Sequence, residues 1–150
     1  MSPIVTANLR PPHAYRDDWL RAILTATGTI AVVGASPKPT RPSNSVMRYL
    51  LGAGYRVIPI NPGHADAEIL GQTVFARLAD VPEPIDLVDI FRRRSALGGI
   101  VDEALALDPK PKAIWMQLGL ADEAAAARAE AAGVAVVMDR CARIEHGRLL

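Results

Sequence analysis

Short apolar runs alternate along this chain with longer stretches in which apolar residues recur at helical spacing. Trp19, Leu20, Ile23 and Leu24 share one face of a helix predicted over Ala14–Ala26, which Gly28 closes. Thr29–Val33 is a first strand. A second helix is expected over Asn44–Ala53, with Val46, Tyr49, Leu50 and Ala53 as its buried stripe and Gly54 as its stop. Tyr55–Ile60 is a second strand, in which Pro59 implies an irregularity. Asn61–Gly63 is a turn. Ala65–Val81 reads as a loop with a short strand at Gln72–Phe75 and a helical turn at Ala76–Asp80. Ile85–Phe91 is a third strand, followed by a helix that Ser95 caps and Asp108-Pro109 ends near Leu107. Lys112–Gln117, a helix over Ala121–Ala132 and the strand Val134–Met138 complete the pattern, and Arg140–Leu150 is left as a tail.

Most of these strands are apolar throughout, as when both faces of a sheet are covered. The alternation predicts an α/β fold: a doubly wound, mainly parallel five-stranded Rossmann-like sheet with an extra N-terminal helix. The proline-rich Met1–His13 reads as an arm, and residues 14–150 as one domain. In such sheets ligands bind beyond the carboxyl ends of the strands, where strand order reverses.

The segment TIAVVGASPKPTRPSNS therefore carries the argument. Gly34 permits a sharp exit from the first strand. Ala35 and Ser36 let a ligand approach the backbone. Lys38 and Arg41 are the charges of the loop, and Ser43 is placed to cap the next helix. Strand, glycine turn, cationic loop and helix start are the parts of a phosphate cradle, with amides of Ala35, Ser36 and Lys38 and those near Asn44 and Ser45 as its donors. The dinucleotide fingerprint G-x-G-x-x-G is absent, and Asn61-Pro62 stand where a ribose-binding acid would follow the second strand. No P-loop motif occurs. Arg92, Arg93 and Arg94 add positive charge after the third strand, and a planar guanidinium suits phosphate. Coenzyme A, with a pyrophosphate and a separate 3′-phosphate, needs cations at more than one place.

Several segments then identify a resemblance. GAS at Gly34–Ser36, SNSV at Ser43–Val46, GYRVIPINP at Gly54–Pro62, DIFR at Asp89–Arg92, WMQLG at Trp115–Gly119 and VVMDRC at Val136–Cys141, with EH at Glu145–His146, are similar to the small CoA-binding protein family. That family resembles a free-standing N-terminal CoA-binding domain of the succinyl-CoA synthetase alpha subunit. The resemblance implies that Gly34–Lys38 hold phosphates and that Asn61 and Pro62 border the adenosine. It also implies that Ile90, Phe91 and Arg92 touch adenine, ribose or phosphate, and that Gln117, Leu118 and Gly119 lie near the pantetheine. The expected ligand is coenzyme A or an acyl-CoA, held by a carrier, sensor or regulatory module without chemistry of its own. The alternative is an acyl-CoA-dependent enzyme or ligase-type subunit using Cys141 with Glu145 and His146, or a partner.

Composition narrows the rest. A formal net charge of +1 gives no electrostatic case for nucleic acid or a membrane surface. No apolar run is long enough for a membrane span, and the N-terminus has no signal-peptide core. Cys141 is the only cysteine, which excludes an internal disulfide and fits a cytoplasmic protein. It reads either as a small buried residue or as a thiol for a mixed disulfide with CoA or for acyl transfer. His13, His64 and His146 lack ligand spacing, so no metal site is expected. Asp86 and Asp89, three apart in one strand, face opposite sides and form no acid–base pair. Self-association or a protein partner docking on the arm or the Trp19 helix is left open.

Overall fold

A computed structural model describes residues 14–150. The arm expected over Met1–His13 lies outside the described residues. The strands in chain order are β1 (Thr29–Val33), β2 (Arg56–Ile60), β3 (Glu68–Ile69), β4 (Gln72–Thr73), β5 (Leu87–Ile90), β6 (Ala113–Met116) and β7 (Ala135–Val137). Five of them form the main sheet in the order β2-β1-β5-β6-β7, with every pairing parallel. The helices are α1 (Asp17–Ala26), α2 (Pro42–Gly52), α3 (Leu97–Leu105), α4 (Glu123–Ala131) and α5 (Ala142–Leu149). The fold is the expected α/β doubly wound architecture.

Alternation along each strand sorts the core into two halves. Ile30, Val32, Leu87 and Trp115 face one side, where residues of α1, α2 and α5 cover them. Ala31, Val33, Val88, Ile90, Ile114 and Met116 face the other, beneath α3 and α4. The helix after β1 and the helix after β5 thus lie on opposite faces. The crevice between the carboxyl ends of β1 and β5 is the point where strand order reverses.

Several local expectations are corrected. Arg140–Leu150 is no loose tail: Ala142–Leu149 is helical, with Ala142 and Glu145 buried. Its charged sequence hides a helix whose buried side is supplied by Ala142 and Glu145 rather than by an apolar stripe. α2 begins at Pro42, as suits a residue with fixed φ and no N–H to lose. Ser43 is not its cap, because its hydroxyl turns back to the preceding loop. Met47 joins Val46 and Leu50 in the buried stripe of α2 in place of Ala53. Ser95 is no cap either: it lies inside a 3₁₀ turn, Arg94–Ala96, that leads into α3. Within Ala65–Val81, the short strand β4 has an unforeseen antiparallel partner in β3.

Pro59 causes no break in β2. Its carbonyl accepts from Phe75 N–H at 3.0 Å, on the edge away from β1, so its missing donor falls outside the main ladder. At the amino end of β5, Asp86 takes the amides of Gly28 and Thr29 at 2.8 and 3.0 Å and faces Lys112. Partial burial pushes its carboxyl up, but those amides and the ammonium outweigh burial and hold it below the ordinary aspartate range. Asp89, on the opposite side of the strand, is fully buried, and neither carboxyl oxygen has a partner. Burial raises it well above the ordinary aspartate range.

Candidate functional site

Beyond the carboxyl end of β1 the backbone turns at Gly34, where φ is +89°. A Cβ there would lie 2.9 Å from the Phe91 carbonyl oxygen and 2.9 Å from Arg92 Cδ. Glycine is required both for the turn and for the close approach of the β5 exit. The loop after it is tied down at each step. Asn61 Nδ2 donates to Ala35 O at 2.7 Å, and Asn44 Nδ2 donates to Ser36 O at 3.0 Å. Asn44 is itself buried and accepts from Arg48 through Oδ1. Asn44→Ala removes both bonds and leaves the Ser36 carbonyl short of a donor. The expected result is a loss of about 1–3 kcal/mol in a urea titration.

The amides of this loop are not open as the sequence suggests. Gly34 N–H and Ala35 N–H both donate to Ile60 O, at 3.0 and 3.3 Å. Ser36 N–H donates to Ser43 Oγ and Lys38 N–H to Ser36 Oγ, each at 3.1 Å. Asn44 and Ser45 amides are taken by Arg41 O. Serine hydroxyls therefore stand where phosphate oxygens were expected. The physical reason is that amides ahead of a helix have no partner within it. They take whatever acceptor is near, and short hydroxyl side chains are the nearest.

Three clefts meet at this point. A polar one of about 380 Å³ is lined by Gly34, Ser36, Lys38, Arg41, Ser43 and Asn61, with Ala35 and His64 beside them. A second, about 570 Å³, lies on the α2 and α5 side and is mostly apolar, with Val46, Phe91, Leu118, Leu120, Cys141 and Ile144 in its walls. A third, about 260 Å³, opens on the α3 side between Ile60 and Pro62, Leu78, and Ala96 and Ile100. Pro42 and Phe91 belong to both the polar and the apolar cleft. Gly34 joins the polar cleft to the third, and Arg92 joins the third to the apolar one. A long molecule could thread all three around the Phe91–Arg92 corner.

The expected site residues are thus mostly brought together. Gly34, Ala35, Ser36, Lys38, Arg41, Ser43 and Asn61 line the polar cleft. Pro62 lines the third, and Gln117 and Leu118 the apolar one. Three residues are not among the walls. Ile90 is wholly buried with the α3 side of the core, so its side chain offers nothing to a ligand. Asn44 acts behind the loop. Gly119 gives its N–H to Asp139 Oδ1 at 2.7 Å and its carbonyl to Arg94, and borders none of the clefts. Sequence reasoning misses Pro42, His64, Arg143 and Ile144. The last two are hidden as long as α5 reads as a tail.

Cys141 is 8% exposed and forms part of the apolar cleft at the start of α5. The residues that the enzyme alternative sets beside it are engaged elsewhere. His146 Nδ1 is 2.9 Å from Tyr49 Oη, and its ring meets Tyr49 and Tyr55 edge-on. Glu145 pairs with Arg148 at 2.9 Å and with Arg140 at 3.9 Å. Among the described residues there is no cluster of acids, histidines and cysteine suited to a metal, and no helix long and apolar enough to cross a membrane.

The chain has relatives among known proteins. The CoA binding domain family model matches residues 28–147. The chain is 37% identical over 127 residues to the uncharacterized protein YneT of Bacillus subtilis, covering 85% of this chain and 91% of that one. A solved structure from Thermus thermophilus, cell-free ID.343, is 43% identical with a TM-score of 0.85, covering 90% of this chain and 99% of the other. A dinucleotide-forming acetyl-coenzyme A synthetase of Ca. Korarchaeum cryptofilum, in complex with phosphate and ADP, is 28% identical with a TM-score of 0.66. That match takes in 81% of this chain but only 27% of the synthetase chain.

Proposed function

The chain belongs to the CoA binding domain family, and on that premise we propose that it holds coenzyme A or an acyl-CoA across the three joined clefts as a carrier or sensor. The observation that carries this reading is the junction at Gly34, Phe91 and Arg92, where polar, apolar and mixed compartments meet. Coenzyme A has a matching three-part chemistry: adenosine, phosphates and an apolar pantetheine arm. Adenosine suits the α3-side cleft, the phosphates the polar cleft and pantetheine the apolar one.

Lys38 and Arg41 would meet the phosphates first, since neither has an acidic partner among the described residues. The loop amides follow. The bonds from Ser36 N–H and Lys38 N–H to serine hydroxyls are neutral, and a phosphate oxygen makes a stronger, charge-assisted acceptor. Exchanging hydroxyl for phosphate would thus favour the bound state, with the free hydroxyls turning to donate to the same anion. Every step of this reading is binding.

Isothermal titration tests it. Coenzyme A is expected to bind with micromolar Kd or tighter, and NAD more weakly. Lys38→Ala should raise Kd about tenfold and reduce the dependence on salt. NAD binding as tightly as coenzyme A would overturn the assignment.

A further inference from the structure

Pantetheine is uncharged, so a groove built for it alone has no use for cations that lack counter-charges. The apolar cleft nevertheless carries Arg92, Arg93 and Arg143 in its walls. Several other arginines of the described surface are matched with acids, among them Arg56 with Glu83, Arg77 with Asp80 and Arg128 with Asp102, whereas Arg48 and Arg94 donate to Asn44 Oδ1 and the Gly119 carbonyl instead. The three at the cleft have no carboxylate within ion-pair distance among the described residues, and no acid lines the cleft. Arg143 is positioned rather than neutralised. It donates to Ser45 Oγ at 2.7 Å and lies 5.7 Å from the Tyr49 ring centre.

The same cleft exposes aliphatic surface. Leu118 is 59% and Ile144 54% exposed, both of them lining residues. Aliphatic walls with unbalanced guanidiniums suit a ligand segment that is a short hydrocarbon ending in an anion. The phosphate-bearing part of the ligand has Lys38 and Arg41 in the adjoining polar cleft.

We propose that the apolar cleft accommodates the acyl end of a CoA thioester whose acyl group terminates in a carboxylate, that is, a dicarboxylic acid monothioester. This rests on the coenzyme A reading above. The methylene chain would cover Leu118 and Ile144, and the terminal carboxylate would pair with Arg93 and Arg143 through charge-assisted bonds.

Glutaryl-CoA and valeryl-CoA make the test, because they have the same five-carbon chain and differ in ending with a carboxylate or a methyl group. Titration of the full chain is expected to show glutaryl-CoA binding about tenfold tighter than valeryl-CoA. Arg93→Gln and Arg143→Gln should each shrink that ratio, and the double variant should bring it close to one. Equal affinity of the two thioesters, with coenzyme A still bound, overturns this proposal and leaves the coenzyme A reading standing. Failure to bind coenzyme A in any form overturns both. A third arm uses 3′-dephospho-CoA. If the arginine variants weaken coenzyme A but not its dephospho form, those arginines serve the 3′-phosphate and the dicarboxylate assignment falls.

Discussion

Gly34→Ala is expected to lose about 2–6 kcal/mol of stability and to abolish measurable coenzyme A binding. Two effects combine. At a φ of +89° any L side chain is strained, which costs on the order of 1–3 kcal/mol. The added methyl would also lie 2.9 Å from the Phe91 carbonyl, a backbone atom that cannot rotate aside. Forcing these chains apart costs a further amount of about 1–3 kcal/mol. The binding loss is separate from the stability loss, because Gly34, Phe91 and Arg92 form the corner where the clefts join. Gly54→Ala is the control. Gly54 has a φ of +99° but nothing within 4 Å of the added methyl, so it should lose only the backbone part and keep its affinity. Urea titrations and calorimetry on both variants decide the matter. If they lose equal stability, or Gly34→Ala binds as the parent does, the close approach at β5 is not what shapes the site.

Asp89→Asn is the second variant with a large expected effect, and its direction is a gain. Asp89 is fully buried between Val32 and Trp115 on the neighbouring strands, and both of its oxygens lack partners. Burial holds its carboxyl in the protonated form well above the ordinary value of 3.8. The unfolded chain loses that proton as pH rises through 3.8, whereas the folded chain keeps it until its own raised pKa. Over that window folding takes up a proton, so stability falls with rising pH by up to about 1.4 kcal/mol per unit. The contribution is whole below the unfolded value and is lost as pH climbs toward the folded one. Asparagine keeps the shape and removes the titration. The variant should therefore gain on the parent between about pH 5 and about pH 8, as read from urea midpoints. An equal difference at both ends of that range would show that Asp89 does not titrate in this way.

The main sheet is legible in the sequence because its strands are buried on both faces and read as unbroken apolar runs. Thr29–Val33 agrees to the residue. The helices with a wide apolar stripe, such as that carrying Trp19 and Ile23, are equally plain. What escapes a reading of the sequence is chemistry decided by tertiary neighbours. Ser43 has the composition of a cap, yet the nearest unpaired donor is Ser36 N–H across the loop, and the hydroxyl serves that instead. α5 carries so many charges that no stripe is visible, and its burial rests on Ala142 and Glu145. Without that helix Arg143 and Ile144 go unnoticed, and with them one wall of the apolar cleft. For the site, the loop residues can be foreseen but the state of their amides cannot, since hydrogen bonds to Ile60 O depend on how β2 lies beside β1.

The outer margin of β2 bears on how copies of this protein meet. Pro59 presents no donor there, its carbonyl is occupied by Phe75 N–H, and the Asn61 amide is spent on Phe75 O. A strand from a neighbouring molecule would find no free ladder to extend at that stretch. Edge-to-edge stacking into a continuous intermolecular sheet is therefore blocked along Pro59–Asn61.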